Sequence, residues 1–310
     1  MKRIRSILYA ALSCVATSHA AHGLAAPVHP DIRIDDVARF YALYDAAGGH
    51  PTADALQHEY LDKGSTGLHR LAAIRRVTGE AIATNLAKNP QIYADAKRCM
   101  DALPRVKVRV AADLEKLGAL YPEVKFPPVT IVVGRGKPVG ATDRTGVMIG
   151  LEALCAVSWM QPDVEDRFVF VIAHEYAHVQ QAIASPVLYD KEKPTVLEES
   201  LIEGTAEFVG ELISGGIAYP GFKTREQGRE KAIETAFVAD EDRTDLSAWL
   251  YNGSMTTPGD LGYWVGYRIV KSYYDRAQDK RRALREIFAL DDAKAFLARS
   301  GWRPGMTQSP

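Results

Sequence analysis

The chain has 310 residues, 47% of them hydrophobic and 25% charged, the make-up of an ordinary globular protein with one sizeable core or two closely packed lobes. Its 38 Lys and Arg stand against 39 Asp and Glu for a net charge of -1, so overall charge draws it neither to nucleic acid nor to an anionic membrane. No nucleic-acid partner is expected.

In chain order, the first thirty residues differ from the rest. Lys2, Arg3 and Arg5 precede an apolar run from Ile7 to Ala16 and then small residues, the layout of a secretory signal peptide. Residues 1–20 are read as that segment, with cleavage after Ser18-His19-Ala20. Leu24-Ala25-Ala26 is a weaker site that would move the boundary to residue 26. The run falls well short of the roughly 20 residues a spanning helix needs, and no later stretch is long and apolar enough to span. Acylation at Cys14 is the lesser alternative, because a Leu expected before it is missing. Export implies a periplasmic or secreted protein, with Cys99 and Cys155 in an oxidising compartment. Those two either pair or stay as buried thiols, since their spacing matches no metal motif.

Residues 27–125 read as a helical N-terminal lobe, whose clearest helices cover about 68–86 and 106–120. The period then changes. Short β-branched runs at 129–133 and 146–149 predict a small sheet, and the Gly-rich stretch 134–146 reads as a hairpin connection between them. It lacks the Gly-Lys-Ser/Thr of a phosphate loop. A helix is expected over 163–184 and another over 195–215, opened by a capping box at Thr195 and Glu198 and closed by Gly215-Gly216. Two more are expected over 261–277 and 280–298.

The chemistry lies on the first of these four helices. His174-Glu175-Tyr176-Ala177-His178 is a complete HExxH, and the i,i+4 spacing puts both imidazoles on one face, within reach of a single zinc. A catalytic zinc takes a third protein ligand and keeps one position open. No histidine follows His178, and Ala184 and Gln181 stand where a metzincin would have His and Gly, so the third ligand is expected to be a carboxylate. Glu199, Glu203, Glu207 and Glu211 share one stripe of the next helix, in a segment too apolar for a surface helix. Glu203 is the first choice. Glu207 either replaces it or orients a ligand imidazole from behind.

HExxH followed by Glu203-Gly204-Thr205-Ala206-Glu207 resembles the glutamate-ligand zincins, the thermolysin-like clan, with Glu207 where an Asp is usual. More closely, residues 171–181, 195–215 and 259–268 resemble an uncharacterised bacterial family of predicted zinc-dependent proteases related to a gliding-motility lipoprotein, over about 64–302. The resemblance implies an α+β, mostly helical, zincin-like metallopeptidase fold, with the small sheet before the HExxH helix and a catalytic region over 126–310. It implies a zinc cofactor and a peptide or protein substrate, but names no substrate. In such a site Glu175 acts as general base. The oxyanion needs a donor, for which Tyr263, Tyr267 and Arg268 are the candidates, and the strand 146–149 would pair with an extended substrate. A catalytically silent zinc-binding envelope protein, or an amidase or esterase acting on a small molecule or cell-wall component, is the alternative. The retained Glu175 favours an enzyme.

Overall fold

The computed structural model describes residues 30–137, 139–221, 226–253 and 259–308. The leader, both cleavage sites and Cys14 lie outside the described residues. The fold is α+β and mostly helical, with one four-stranded sheet.

The strands are β1 (Ile32–Arg33), β2 (Val129–Val132), β3 (Gly140–Asp143) and β4 (Gly146–Gly150), in the order β1-β2-β4-β3. β1, β2 and β4 run parallel and β3 is antiparallel to β4. Two expectations are corrected here. The stretch 134–146 does not join β2 and β4 as a hairpin, because those strands are parallel; its second half is β3, which turns back on β4 at Arg144-Thr145. β4 is therefore paired on both sides and has no free edge for a substrate, whereas β3 is an edge strand. Gly146 makes this register possible. It has φ +140, and a Cβ there would lie 2.2 Å from the Pro128 carbonyl oxygen. Ahead of β3, the fully buried Glu152 carboxylate accepts the Gly134 and Gly136 N–H groups, each at 2.9 Å, and pins the loop that delivers the strand.

The longer helices before β2 are α1 (Asp35–Ala46), α2 (Thr66–Arg75), α3 (Gly79–Lys88), α4 (Pro90–Cys99) and α5 (Leu103–Leu120), with a short helical stretch over 53–61 between α1 and α2. The helix expected over 68–86 is thus two. Arg76 ends α2 in the left-handed region at φ 52, and the Thr78 hydroxyl caps α3 by accepting the Ala81 N–H at 3.1 Å. After β4 come α6 (Leu151–Ala156), α7 (Val164–Ala184), α8 (Pro186–Tyr189), α9 (Val196–Ser214), α10 (Glu230–Asp240), α11 (Leu261–Arg276), α12 (Lys280–Ala289) and α13 (Ala293–Ser300). The helix expected over 280–298 also divides, at Leu290 (φ 37), because the Asp292 side chain caps α13 through the Ala295 N–H at 2.8 Å. The capping box of α9 forms as read from the sequence. Cys99 and Cys155 pair, joining the end of α4 to α6 with their Cα atoms 6.2 Å apart.

The HExxH helix α7 packs on β3 and β4, on α5 and on α9, and α9 is in turn packed on α11. Two glycines set these crossings. A Cβ on Gly204 would sit 2.1 Å from the Gly266 carbonyl carbon, so α9 and α11 touch backbone to backbone. Gly210 does the same toward α7, where a Cβ would lie 3.2 Å from the His174 nitrogen. Gly204→Ala must push α11 away and is expected to destabilise by roughly 1–3 kcal/mol or more, read as a lower urea midpoint at unchanged slope. Breaking the disulfide by Cys99→Ser with Cys155→Ser is expected to cost up to about 4 kcal/mol, from the chain entropy of a loop of this length, read in the same titration.

Candidate metal centre

Successive turns of α7 present His174 and His178, and α9 presents Glu203 opposite them, all nine-tenths or more buried. Their facing atoms form a triangle: His174 Nε2 to His178 Nε2 is 3.1 Å, His178 Nε2 to Glu203 Oε2 is 3.3 Å, and His174 Nε2 to Glu203 Oε2 is 3.5 Å. Donors placed tetrahedrally about 2.0–2.1 Å from a zinc ion lie about 3.3–3.4 Å apart. The triangle matches that spacing. Glu203 Oε2 is moreover buried without a hydrogen-bond partner, the condition of a carboxylate oxygen that belongs to a metal. Among the described residues this is the one cluster of three His, Cys, Asp or Glu side chains with metal-binding spacing.

Each imidazole is held from behind. Glu207, 1% exposed, places Oε1 3.0 Å from His174 Nδ1. His178 Nδ1 faces Gln181 Oε1 at 2.8 Å, and Gln181 Nε2 donates to the Ile202 carbonyl at 2.9 Å, so the Gln181 oxygen is the end that meets the ring. A proton on His178 Nδ1, shared with Gln181, leaves its Nε2 lone pair free for the metal, while His174 Nδ1 meets Glu207 as a close ion-pair contact outside hydrogen-bond geometry. Gln181 escaped the sequence reading, where it counted only as a missing Gly. Its signal was there: a polar side chain at i+3 from His178, on the same face.

Burial would lower the His174 pKa, but Glu203 and Glu207 overcome it and raise it to about 10. His178 is raised too, against the effect of burial, chiefly by Glu203. For Glu203 the signs reverse: burial would raise its carboxyl, and the imidazoles, His178 first, hold it well below the usual carboxylate range.

Glu175, half-buried, lies beside the sheet edge, where one carboxylate oxygen accepts the Thr142 hydroxyl of β3. A Cβ on Gly140 would come within 3.0 Å of the other oxygen, so the glycine lets β3 pass this close. The β3–β4 turn is tied to the end of α7 by Arg144, whose Nε donates to the Ala182 carbonyl at 2.8 Å.

The three expected oxyanion donors part company. The Tyr263 ring lies 6.4 Å from the His174 ring and nearly parallel to it, at 11°, with Tyr219 5.5 Å away. Tyr267 turns to Glu211, to which its hydroxyl donates. Arg268 pairs with the buried Glu234 at 2.5 Å, donates to the Met306 carbonyl at 2.6 Å and covers Trp264. It ties the C-terminal tail onto α10 and α11, with two of its five N–H groups engaged in these contacts. Tyr251, which the sequence reading did not single out, places its hydroxyl between Glu203 Oε1, at 2.8 Å, and Glu199 Oε1, both of which can accept its one proton.

Residues 153–296, from α6 into α13, match the family model described as "Predicted Zn-dependent protease (DUF2268)". That stretch contains His174, Glu175, His178, Glu203 and Glu207, and it agrees with the family that the HExxH and Glu-Gly-x-Ala-Glu motifs resemble. The cofactor this implies is zinc, and the donor set fits it. No curated protein and no solved structure matches the chain.

Two measurements check the centre. Because zinc takes neutral imidazole, its binding at neutral pH is expected to release about one to two protons and to weaken as pH falls; calorimetry in buffers of different ionisation enthalpy reads the number. Gln181→Ala, which frees the His178 ring, is expected to lower zinc affinity about 10–100-fold, read by competition with a chromophoric chelator.

Proposed function

We propose that the protein is a periplasmic or secreted zinc peptidase, with zinc held by His174, His178 and Glu203, and Glu175 as its general base. The observation that carries this reading is the junction of the donor triangle with Glu175, whose carboxylate meets Thr142 of β3, the edge strand of the sheet among the described residues. A structural zinc site requires ligands but no base and no open side. Bound zinc supplies a Lewis acid that polarises a carbonyl and lowers the pKa of a water molecule. Glu175 takes the proton of the attacking water, with Thr142 fixing one carboxylate oxygen, and returns it to the leaving amine. β3, the edge strand among the described residues, offers its outer edge to an extended peptide, which lays the scissile bond along the HExxH helix.

Tyr263 is the donor kept for the oxyanion. Burial, and then the charge of Glu203, push its phenol well above the ordinary range, so it stays a neutral O–H donor at any working pH. The catalytic chemistry is assigned to residues 126–310, with 27–125 as a helical buttress that also supplies β1. Export agrees with the Cys99–Cys155 disulfide, which persists in an oxidising compartment.

A peptide-library digest read by mass spectrometry tests the assignment. The wild-type chain is expected to cut, and Glu175→Gln to keep about one zinc per chain while kcat/KM falls roughly 10²–10⁴-fold. Equal cleavage by the variant would overturn Glu175 as base. An intact zinc-loaded chain that cleaves no peptide in the library would overturn the peptidase reading.

A further inference from the structure

Tyr251 is at once exposed and engaged. The residue as a whole is 61% exposed, yet its hydroxyl lies between two carboxylates of α9, 2.8 Å from Glu203 Oε1 and in contact with Glu199 Oε1. Glu203 therefore has two differently employed oxygens: Oε2 faces both imidazoles and Oε1 faces the tyrosine. The backbone that presents Tyr251 is specially built. Tyr251 stands in the left-handed region at φ 57, a conformation a bulky residue keeps only where its surroundings enforce it. The enforcement comes from the loop base just beyond. Asn252 N–H donates to Asp260 Oδ1 at 3.1 Å, Asp260 N–H donates to Asn252 Oδ1 at 2.7 Å, and Asn252 Nδ2 holds the Ser247 carbonyl at 2.8 Å. Gly253 and Gly259 pass so close that a Cβ on Gly259 would lie 2.3 Å from the Gly253 nitrogen. The chain is pinched shut there, and the pinch aims the hydroxyl of Tyr251.

We propose that Tyr251 is a positioning residue that occupies the outer oxygen of Glu203 and thereby keeps this carboxylate on the metal through Oε2 alone. The inference rests on the assignment of His174, His178 and Glu203 as zinc donors. A carboxylate freed at Oε1 loses the orientation that presents Oε2 to the ion, which weakens metal binding, and can turn its second oxygen toward the position that a water and a substrate carbonyl need. One hydroxyl carries one proton, so Glu199 is a competing acceptor for it and not a second clasp on Glu203.

The test reads metal binding and needs no substrate. Tyr251→Phe removes only the hydroxyl from an exposed residue; its zinc dissociation constant is expected to rise about 10–100-fold. Its cobalt(II) form is expected to lose visible absorption as coordination grows from four to five. Asn252→Ala, which loosens the loop base and keeps the hydroxyl, is expected to shift both readings the same way by less. Glu199→Gln is expected to bind zinc as tightly as the wild type. Wild-type affinity and spectrum in Tyr251→Phe would overturn the proposal, as would a loss in Glu199→Gln equal to that of Tyr251→Phe. A wild-type chain that binds zinc but cuts no peptide would overturn the peptidase reading alone, while the affinity comparison still decides the role of Tyr251.

Discussion

Two imidazoles and a carboxylate from different helices meet here with their donor atoms 3.1–3.5 Å apart, and much of the surrounding architecture follows from the demands of that meeting. Side chains of this length converge only if their helices run close together. Gly210 lets α9 close on α7 beside His174, and Gly204 lets α11 seat behind α9. Larger residues at either place would separate the helices and pull Glu203 from the imidazoles. The small residues of α9 thus have a geometric task, and the acids on it have the chemical one.

Burial of so much charge has its own requirement. Glu203, Glu207, His174 and His178 are all nine-tenths or more inaccessible, where an unpaired ion costs several kcal/mol. The cluster meets this by pairing outward as well as inward: Glu207 behind His174, Gln181 behind His178, Tyr251 behind Glu203. Each donor has one atom toward the common centre and another engaged elsewhere. The same outer contacts explain the acids flanking Glu203 on its stripe. Glu199 and Glu211 are not bare surface charges, since each meets a tyrosine hydroxyl, from Tyr251 and Tyr267.

What was legible in the sequence was what periodicity and local motif encode. HExxH at i,i+4, the Thr195–Glu198 capping box and a Glu stripe in an apolar helix each state a local geometry, and they led to the three facing donors. The breaks at Arg76 and Leu290 were missed because the hydrophobic rhythm carries on across them, while Thr78 and Asp292 start new helices within it. The sheet order was not legible at all. Parallel pairing of β2 with β4, and the promotion of 140–143 to an edge strand, depend on long-range contacts such as Gly146 against Pro128 that leave no repeating pattern. Tyr251 lay beyond reach for a related reason, since it meets Glu203 across 48 positions of chain, whereas Gln181 carried a signal in its i+3 spacing from His178 that is easily passed over among polar helix residues.

The central claim is that His174 Nε2, His178 Nε2 and Glu203 Oε2 hold one zinc ion with a position left open. X-ray absorption at the zinc edge, on protein purified from an exporting host, examines it most directly. The expected spectrum has a first shell of nitrogen and oxygen only, at about 2.0–2.1 Å, with the outer-shell scattering of two imidazoles, at about one zinc per chain. Sulfur in the first shell, the scattering of a single imidazole, or a chain that takes up no zinc would contradict it.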